Sequence, residues 1–188
     1  MKTTKPKVKP KKNDEFMLMG KSPYEYYEFP YTMGVHVVVG RPATGKTNLA
    51  IGCIDDCIMA EYPIAYVSLD MEKKFFFERL EKKIPPSTIN KAMRSNLFFY
   101  SAEKEVTKLL PYLQSLRSNG VRAVIIDFVQ LLNVNGKALD TDSLVAILSA
   151  FALKHQMSIV LLCQLMKSKE DLYPFAQTIH IIRKGTEK

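Results

Sequence analysis

Residues 40–47 read GRPATGKT, which fills the pattern Gly-x-x-x-x-Gly-Lys-[Ser/Thr] with Gly40, Gly45, Lys46 and Thr47. No other stretch constrains the fold as strongly, because this loop works only between a strand and a helix. The glycines let backbone N–H groups turn inward around phosphate oxygens. Lys46 would reach the β- and γ-phosphates, and the Thr47 hydroxyl would hold Mg²⁺. The dipole of the following helix favours the same anion. The flanks agree. VHVVV (35–39) is an apolar, β-branched run of the kind a buried parallel strand needs, and KTNLAIGCIDDCIMA (46–60) reads as a mostly buried helix. Residues 40–48, with Arg41, Pro42, Ala43, Thr44 and Asn48 completing the loop, are the candidate phosphate cradle.

The 188 residues favour one domain, and 47% hydrophobic content is ample for a core. No apolar run reaches the ~18 residues of a membrane span, and the lysine-rich N-terminus lacks the apolar stretch of a signal peptide. Cys53, Cys57 and Cys163 read as reduced thiols packed in a core, so a cytoplasmic location is expected. His36 and His180 fall inside strand runs and read as structural.

The formal charge of +8 is concentrated at one end. The first twelve residues, MKTTKPKVKPKK, hold six lysines and no acid, which leaves the remainder nearly balanced. Lys/Pro alternation cannot bury a core, so 1–33 is expected to hold a basic, disordered or extended tail. It serves either as an electrostatic arm for nucleic acid or as a solubilising tail. Next comes SPYEYYEFPYTMG (22–34), whose five aromatics read as a strap packed across the core; docking on a neighbouring subunit or stacking on bases are the alternatives. The core is expected over 34–188.

Beyond the first unit, strand-like runs alternate with helical patterns. Strands are expected at 64–69, 97–101, 122–127, 158–163 and 178–183. Helices are expected at 72–83, at 87–95 with Ser87 as cap, at 103–118 with a kink at Pro111, and at 142–155. Such alternation implies an α/β fold: a mostly parallel central sheet with helices on both faces.

A nucleotide-hydrolysing loop needs a second acid to anchor Mg²⁺ at the carboxyl end of a neighbouring strand. AVIID ends at Asp127, the candidate metal acid beside Thr47. Hydrolysis also needs a carboxylate to orient and deprotonate water. Asp70, which ends YVSLD, is the candidate. Gln164, after IVLLC, is the candidate sensor of the γ-phosphate.

VVVGRPATGKT, VSLDM, IIDFVQLL and LLCQLMKS occur in that order, and together they resemble the motor motifs of DnaB-type replicative helicases, a branch of the RecA-like P-loop ATPases. That family's loop often has Arg-Pro after its first Gly, as Arg41-Pro42 here. Its metal-acid strand is followed by a Gln between aliphatics, as Gln130, and its sensor motif ends in Gln-Leu, as Gln164-Leu165. Its second motif has an Arg nine residues past the carboxylate, where Arg79 stands relative to Asp70. The resemblance implies a RecA-like core with ATP and Mg²⁺ as cofactors. It also implies a sensor strand between the P-loop and metal-acid strands, and nucleotide sites shared in a homo-oligomeric ring or filament.

The departures from the family are specific. Asp70 stands where the family usually has Glu, one methylene longer, so slow hydrolysis is expected. Only 33 residues precede the core, where the family carries a primase-interacting domain. Only about a dozen separate Gln164 from the last strand, where the family has a long DNA-binding loop. Arg183 is the late arginine available as a finger reaching a neighbour's γ-phosphate, with Lys184 assisting; a plain surface cation is the alternative reading. Three functions follow from these residues. One is a minimal ATP-driven motor on single-stranded DNA in replication or recombination, with Lys137, Lys167 and Lys169 available to a channel. Another is an ATP-binding accessory protein that loads or modulates a full-length helicase. The third, a RadA-like recombinase, is disfavoured by DFVQLL.

Overall fold

The computed structural model describes residues 33–101, 103–164 and 175–182. The lysine-rich tail, the aromatic strap up to Tyr31, Lys167, Lys169, Arg183 and Lys184 lie outside the described residues, as does the side chain of His180.

Six strands form one parallel sheet. In chain order they are β1 (Gly34–Gly40), β2 (Ile64–Ser68), β3 (Leu97–Ser101), β4 (Ala123–Asp127), β7 (Ser158–Gln164) and β8 (Thr178–Ile182), with a small antiparallel hairpin, β5 (Asn133–Val134) and β6 (Lys137–Ala138), between β4 and β7. The spatial order is β3-β2-β4-β7-β1-β8. The strand that ends at Gln164, β7, therefore lies between β1 and β4, as expected.

Helices α1 (Lys46–Met59), α2 (Lys73–Glu81) and α3 (Pro86–Ala92) accompany the chain as it moves from β1 out to β3. They bury Ile51, Ile54, Phe76, Leu80 and Ile89 against Val38, Tyr66, Ile125, Val160 and Leu162. Helices α4 (Val106–Ser118) and α5 (Thr141–His155) accompany the return. They bury Leu109, Leu113, Leu144 and Leu148 against Val37, Val39, Val67, Val124, Ile126 and Leu161. Alternate residues of one strand thus feed opposite layers, as a period of two requires. A strand buried on both faces must be apolar throughout, and β1 is buried along its whole length, His36 included. The separation of outbound and returning helices is the arrangement that right-handed crossovers produce.

Several helix ends differ from expectation for local reasons. α3 starts at Pro86, with Pro85 rather than Ser87 as its N-cap. A proline in the first turn lacks only an N–H that would have no intrahelical partner, and its φ already suits the helix. α4 starts at Val106, because Glu105 adopts an extended conformation and its carboxylate accepts from Thr107 N. It then runs as one helix through Pro111. The same Glu105 carboxylate accepts from the backbone N–H groups of Asn135 and Gly136, at 3.0 and 3.2 Å, and so ties the β5–β6 turn to the start of α4. Both turn residues have positive φ, 52° and 73°, the two-residue hairpin turn that an Asn-Gly pair favours.

α2 is seated by an aromatic stack. Phe76 is fully buried, with its ring centroid 4.4 Å from Tyr66, 5.1 Å from Phe77 and 5.0 Å from Phe99. Truncating such a ring removes its transfer energy and leaves a cavity. Phe76→Ala should therefore cost about 3–5 kcal/mol in urea denaturation. A loss under about 1 kcal/mol, the ordinary cost of a point substitution, would contradict this seating of α2.

Candidate functional site

The carboxyl ends of β1, β2, β4 and β7 meet at one rim of the sheet. Gly40 of β1 pairs with Gln164 of β7, Asp127 of β4 pairs with Leu162, and Ser68 of β2 pairs with Asp127. The chain leaves β1 for α1 on one face and leaves β4 for α5 on the other. A crevice between strands that diverge in this way is where α/β sheets bind ligands.

The 40–47 loop fills the β1–α1 turn. Its tip, Arg41 to Ala43, is exposed, while Thr44 to Thr47 are half-buried and Asn48 is exposed. Thr44 closes the tip by donating its hydroxyl to Arg41 O at 2.8 Å. Gly45 sits at φ 96°, a conformation that disfavours any side chain, and forms the N-cap of α1 without a side-chain hydrogen bond. The first turn of α1 holds no acidic residue. Its first N–H groups and positive dipole end therefore meet no acidic side chain from the helix itself. Lys46 donates to Gly40 O at 2.8 Å and to Arg41 O at 2.9 Å, so its ammonium lies across the mouth of the loop. Burial pushes its pKa down, against the pull of Asp127 and Cys163.

Asp127 joins three elements at this rim. Its Oδ2 accepts from Thr47 Oγ1 of α1 at 3.2 Å and from Tyr66 OH of β2 at 2.5 Å. Burial raises its pKa, and the nearby Asp70 charge raises it further, while the two hydroxyls and Lys46 oppose the rise. Asp70 is exposed, two residues past β2. Its position follows from two local bonds. Leu69 N donates to Asp127 O at 2.8 Å, extending the β2–β4 ladder past the end of β2. Ser68 Oγ both donates to Met71 O and accepts from Met71 N, closing the turn around Asp70. Arg79, exposed in the last turn of α2, is near enough for its charge to act on the Tyr66 hydroxyl.

Past Asp127 the chain passes through a cis peptide to Phe128 and into a short 3-10 turn, Val129–Leu131. There the Gln130 side chain grips Gln164 by its backbone. Nε2 donates to Gln164 O at 2.9 Å, and Oε1 accepts from Gln164 N at 3.2 Å. This fixes Gln164, the candidate sensor, relative to the turn that follows β4. The structure thus gathers Lys46, Thr47, Asp70, Asp127 and Gln164 at one rim. Lys137 lies away from the sheet in the β5–β6 hairpin and is exposed.

Two residues of the site were missed in the sequence reading. Tyr66 looked like an ordinary strand aromatic, and Gln130 was only part of a motif. Their contacts span 61 and 34 residues and follow from strand order, to which neither residue's local sequence points. The hairpin, in contrast, carried a local signal in Asn135-Gly136.

Donor chemistry at the rim suits a nucleotide-bound cation. Magnesium takes one or two protein oxygens and completes its shell with phosphate and water. A hydroxyl and a carboxylate in contact beside a helix N-terminus provide such a pair. Among the described residues, no group of three or more His, Cys, Asp or Glu forms a cage that would hold a metal by itself.

The sequence matches no family model and no curated relative. Solved structures do match. The ATPase domain of G40P superposes with a TM-score of 0.59 at 22% identity, covering 72% of this chain and 58% of that one. A DnaB-like replicative helicase, solved in a study of its interactions with primase, superposes with a TM-score of 0.57 at 22% identity, covering 75% of this chain and 42% of that one. The fold is that of the ATPase domains of DnaB-like helicases. The chain spans about half the length of these neighbours. Among the described residues, no helix is long and apolar enough to cross a membrane.

Asp127 gives a pH prediction. Its carboxyl binds a proton more tightly in the folded chain than in the unfolded one, so its contribution to stability is complete below the ordinary carboxylate pKa. That contribution is lost as pH rises through the raised value. At neutral pH the buried charge is therefore a net cost. Asp127→Asn keeps an oxygen to accept from Thr47 and Tyr66 and removes the charge. In buffer free of Mg²⁺ and nucleotide it should melt higher than wild type at neutral pH, by about 2–4 °C for each kcal/mol of desolvation relieved. The gap should close in acid. A variant less stable than wild type at neutral pH would contradict this account of the site.

Proposed function

We propose that the chain is an ATP-binding, ATP-hydrolysing motor domain of the DnaB-like helicase kind, acting on single-stranded DNA in replication or recombination. The observation that carries this reading is the contact between Thr47 Oγ1 and Asp127 Oδ2 at 3.2 Å, made across 80 residues beside the 40–47 loop. An ordinary glycine turn between strand and helix gives no reason for it. In this reading Lys46 and the N–H groups of the 41–47 loop, Pro42 excepted, bind the phosphates, with Asn48 and Arg79 at the edge of the nucleotide site. Thr47 and Asp127 hold Mg²⁺, which neutralises phosphate charge. Asp70 orients water and takes its proton, and Gln164 senses the γ-phosphate. Arg183, outside the described residues, would act on a neighbour's nucleotide in a ring or filament, with replication proteins as further partners. The helicase fold of the solved neighbours supports the class of reaction.

One observation favours a second reading, an ATP-gated accessory protein that modulates a full-length helicase. Asp70 is one methylene shorter than the Glu usual in the family, and it sits exposed at the rim. Single-turnover hydrolysis, with and without single-stranded DNA, separates the two. General-base positioning contributes about 10²–10⁴-fold, so in a motor Asp70→Asn should lose that much rate with ATP still bound, and Asp70→Glu should gain. A wild-type rate equal to that of Asp70→Asn, with tight ATP binding in both, would reject the motor in favour of the nucleotide-gated protein.

A further inference from the structure

The Tyr66 hydroxyl has no role in the reading above, yet it makes one of the shortest polar contacts in the site. The residue is fully buried in the middle of β2. A buried phenol needs a hydrogen-bond partner, and packing alone is served equally well by phenylalanine. The ring is locked in place, stacked 4.4 Å from Phe76 and 6.1 Å from Phe99, so the hydroxyl arrives at one fixed point. That point is 2.5 Å from Asp127 Oδ2, the oxygen that also accepts from Thr47. A threonine hydroxyl that donates its hydrogen to a carboxylate still has lone pairs for a cation. Both donors can therefore remain in place when the site is filled, and together they set the angle at which Asp127 faces the rim.

We infer that Tyr66 is a positioning residue for magnesium, holding Asp127 through its hydroxyl so that the carboxylate faces the nucleotide-bound cation. This rests on the nucleotide reading of the rim and adds a part to it. Partners behind a metal ligand orient it, and removing one typically lowers metal affinity about 10–100-fold. Tyr66 also couples the site to α2. Its ring stacks on Phe76, the fourth residue of the helix that follows Asp70, so the aromatic stack that seats α2 and the bond that aims Asp127 share one side chain.

The test is Tyr66→Phe, which keeps the ring and its stacking and removes only the hydroxyl. Binding of a nonhydrolysable ATP analogue is titrated against Mg²⁺ in wild type, Tyr66→Phe, Asp127→Asn and the double variant. Melting curves in Mg²⁺-free buffer establish that each is folded. The expected result is a rise of about tenfold or more in the Mg²⁺ midpoint of Tyr66→Phe, with affinity for the analogue in Mg²⁺-free buffer unchanged. In the Asp127→Asn background the same substitution should have no further effect, because the hydroxyl acts through the carboxylate. An unmoved midpoint in folded Tyr66→Phe, with wild type clearly Mg²⁺-dependent, would overturn the inference and leave the nucleotide reading intact. An equal shift in the Asp127→Asn background would overturn it too, by showing a general packing effect. Wild-type binding indifferent to Mg²⁺ would overturn both the inference and the reading beneath it.

Discussion

A single carboxylate oxygen, Asp127 Oδ2, accepts hydrogen bonds from side chains on two other elements, α1 and β2, while Asp127 itself ends β4. Those three elements are far apart in sequence, and two of the strands are separated from β1 by β7. The oxygen can be reached from all sides only if the strand order is right, if β2 and β4 are in register at Ser68 and Asp127, and if α1 packs on the face that carries Tyr66. The remaining site geometry follows from the same arrangement. The β2–β4 ladder that aligns Tyr66 with its partner also continues through Leu69 N to Asp127 O, and so delivers Asp70 to the rim.

Holding an acid in this way opposes stability. Asp127 is desolvated, lies near a second carboxylate and is raised in pKa, while Lys46 is pushed down by its own burial. The two hydroxyls offset part of that cost by donating to the charged form. A cation beside Asp127 would offset its desolvated charge, and an anion beside Lys46 would do the same for the ammonium. The supporting shell is correspondingly firm. Gln130 fixes the backbone of Gln164, Ser68 closes the turn at Asp70, and Glu105 anchors the β5–β6 hairpin to α4.

The parts of the fold that were legible in the sequence are those whose signals are local. GRPATGKT announces its own loop, and runs such as VHVVV and AVIID announce strands buried on two faces, since only β-branched apolar residues suit both layers at once. Asp127 and Asp70 were legible as acids ending such runs. The strand order came with the resemblance to the helicase motors and not from any single run. Contacts that depend on register were not legible: nothing in IAYVS sets Tyr66 apart from a core aromatic, and nothing local says that Gln130 would bond the backbone of Gln164. The start of α3 at Pro86 was missed because a serine cap was weighed above a proline in the first turn.

The claim on which the account depends is that this rim holds a nucleotide through the loop, with a cation between Thr47 and Asp127. A crystal structure of the chain with Mg²⁺ and a nonhydrolysable ATP analogue tests it most directly. The account predicts phosphates against the backbone N–H groups of residues 43–47, Lys46 turned from the carbonyls of Gly40 and Arg41 onto phosphate, and the cation on the Thr47 hydroxyl facing Asp127. An analogue bound away from residues 40–47, or bound there with Asp127 turned from the cation, would contradict it.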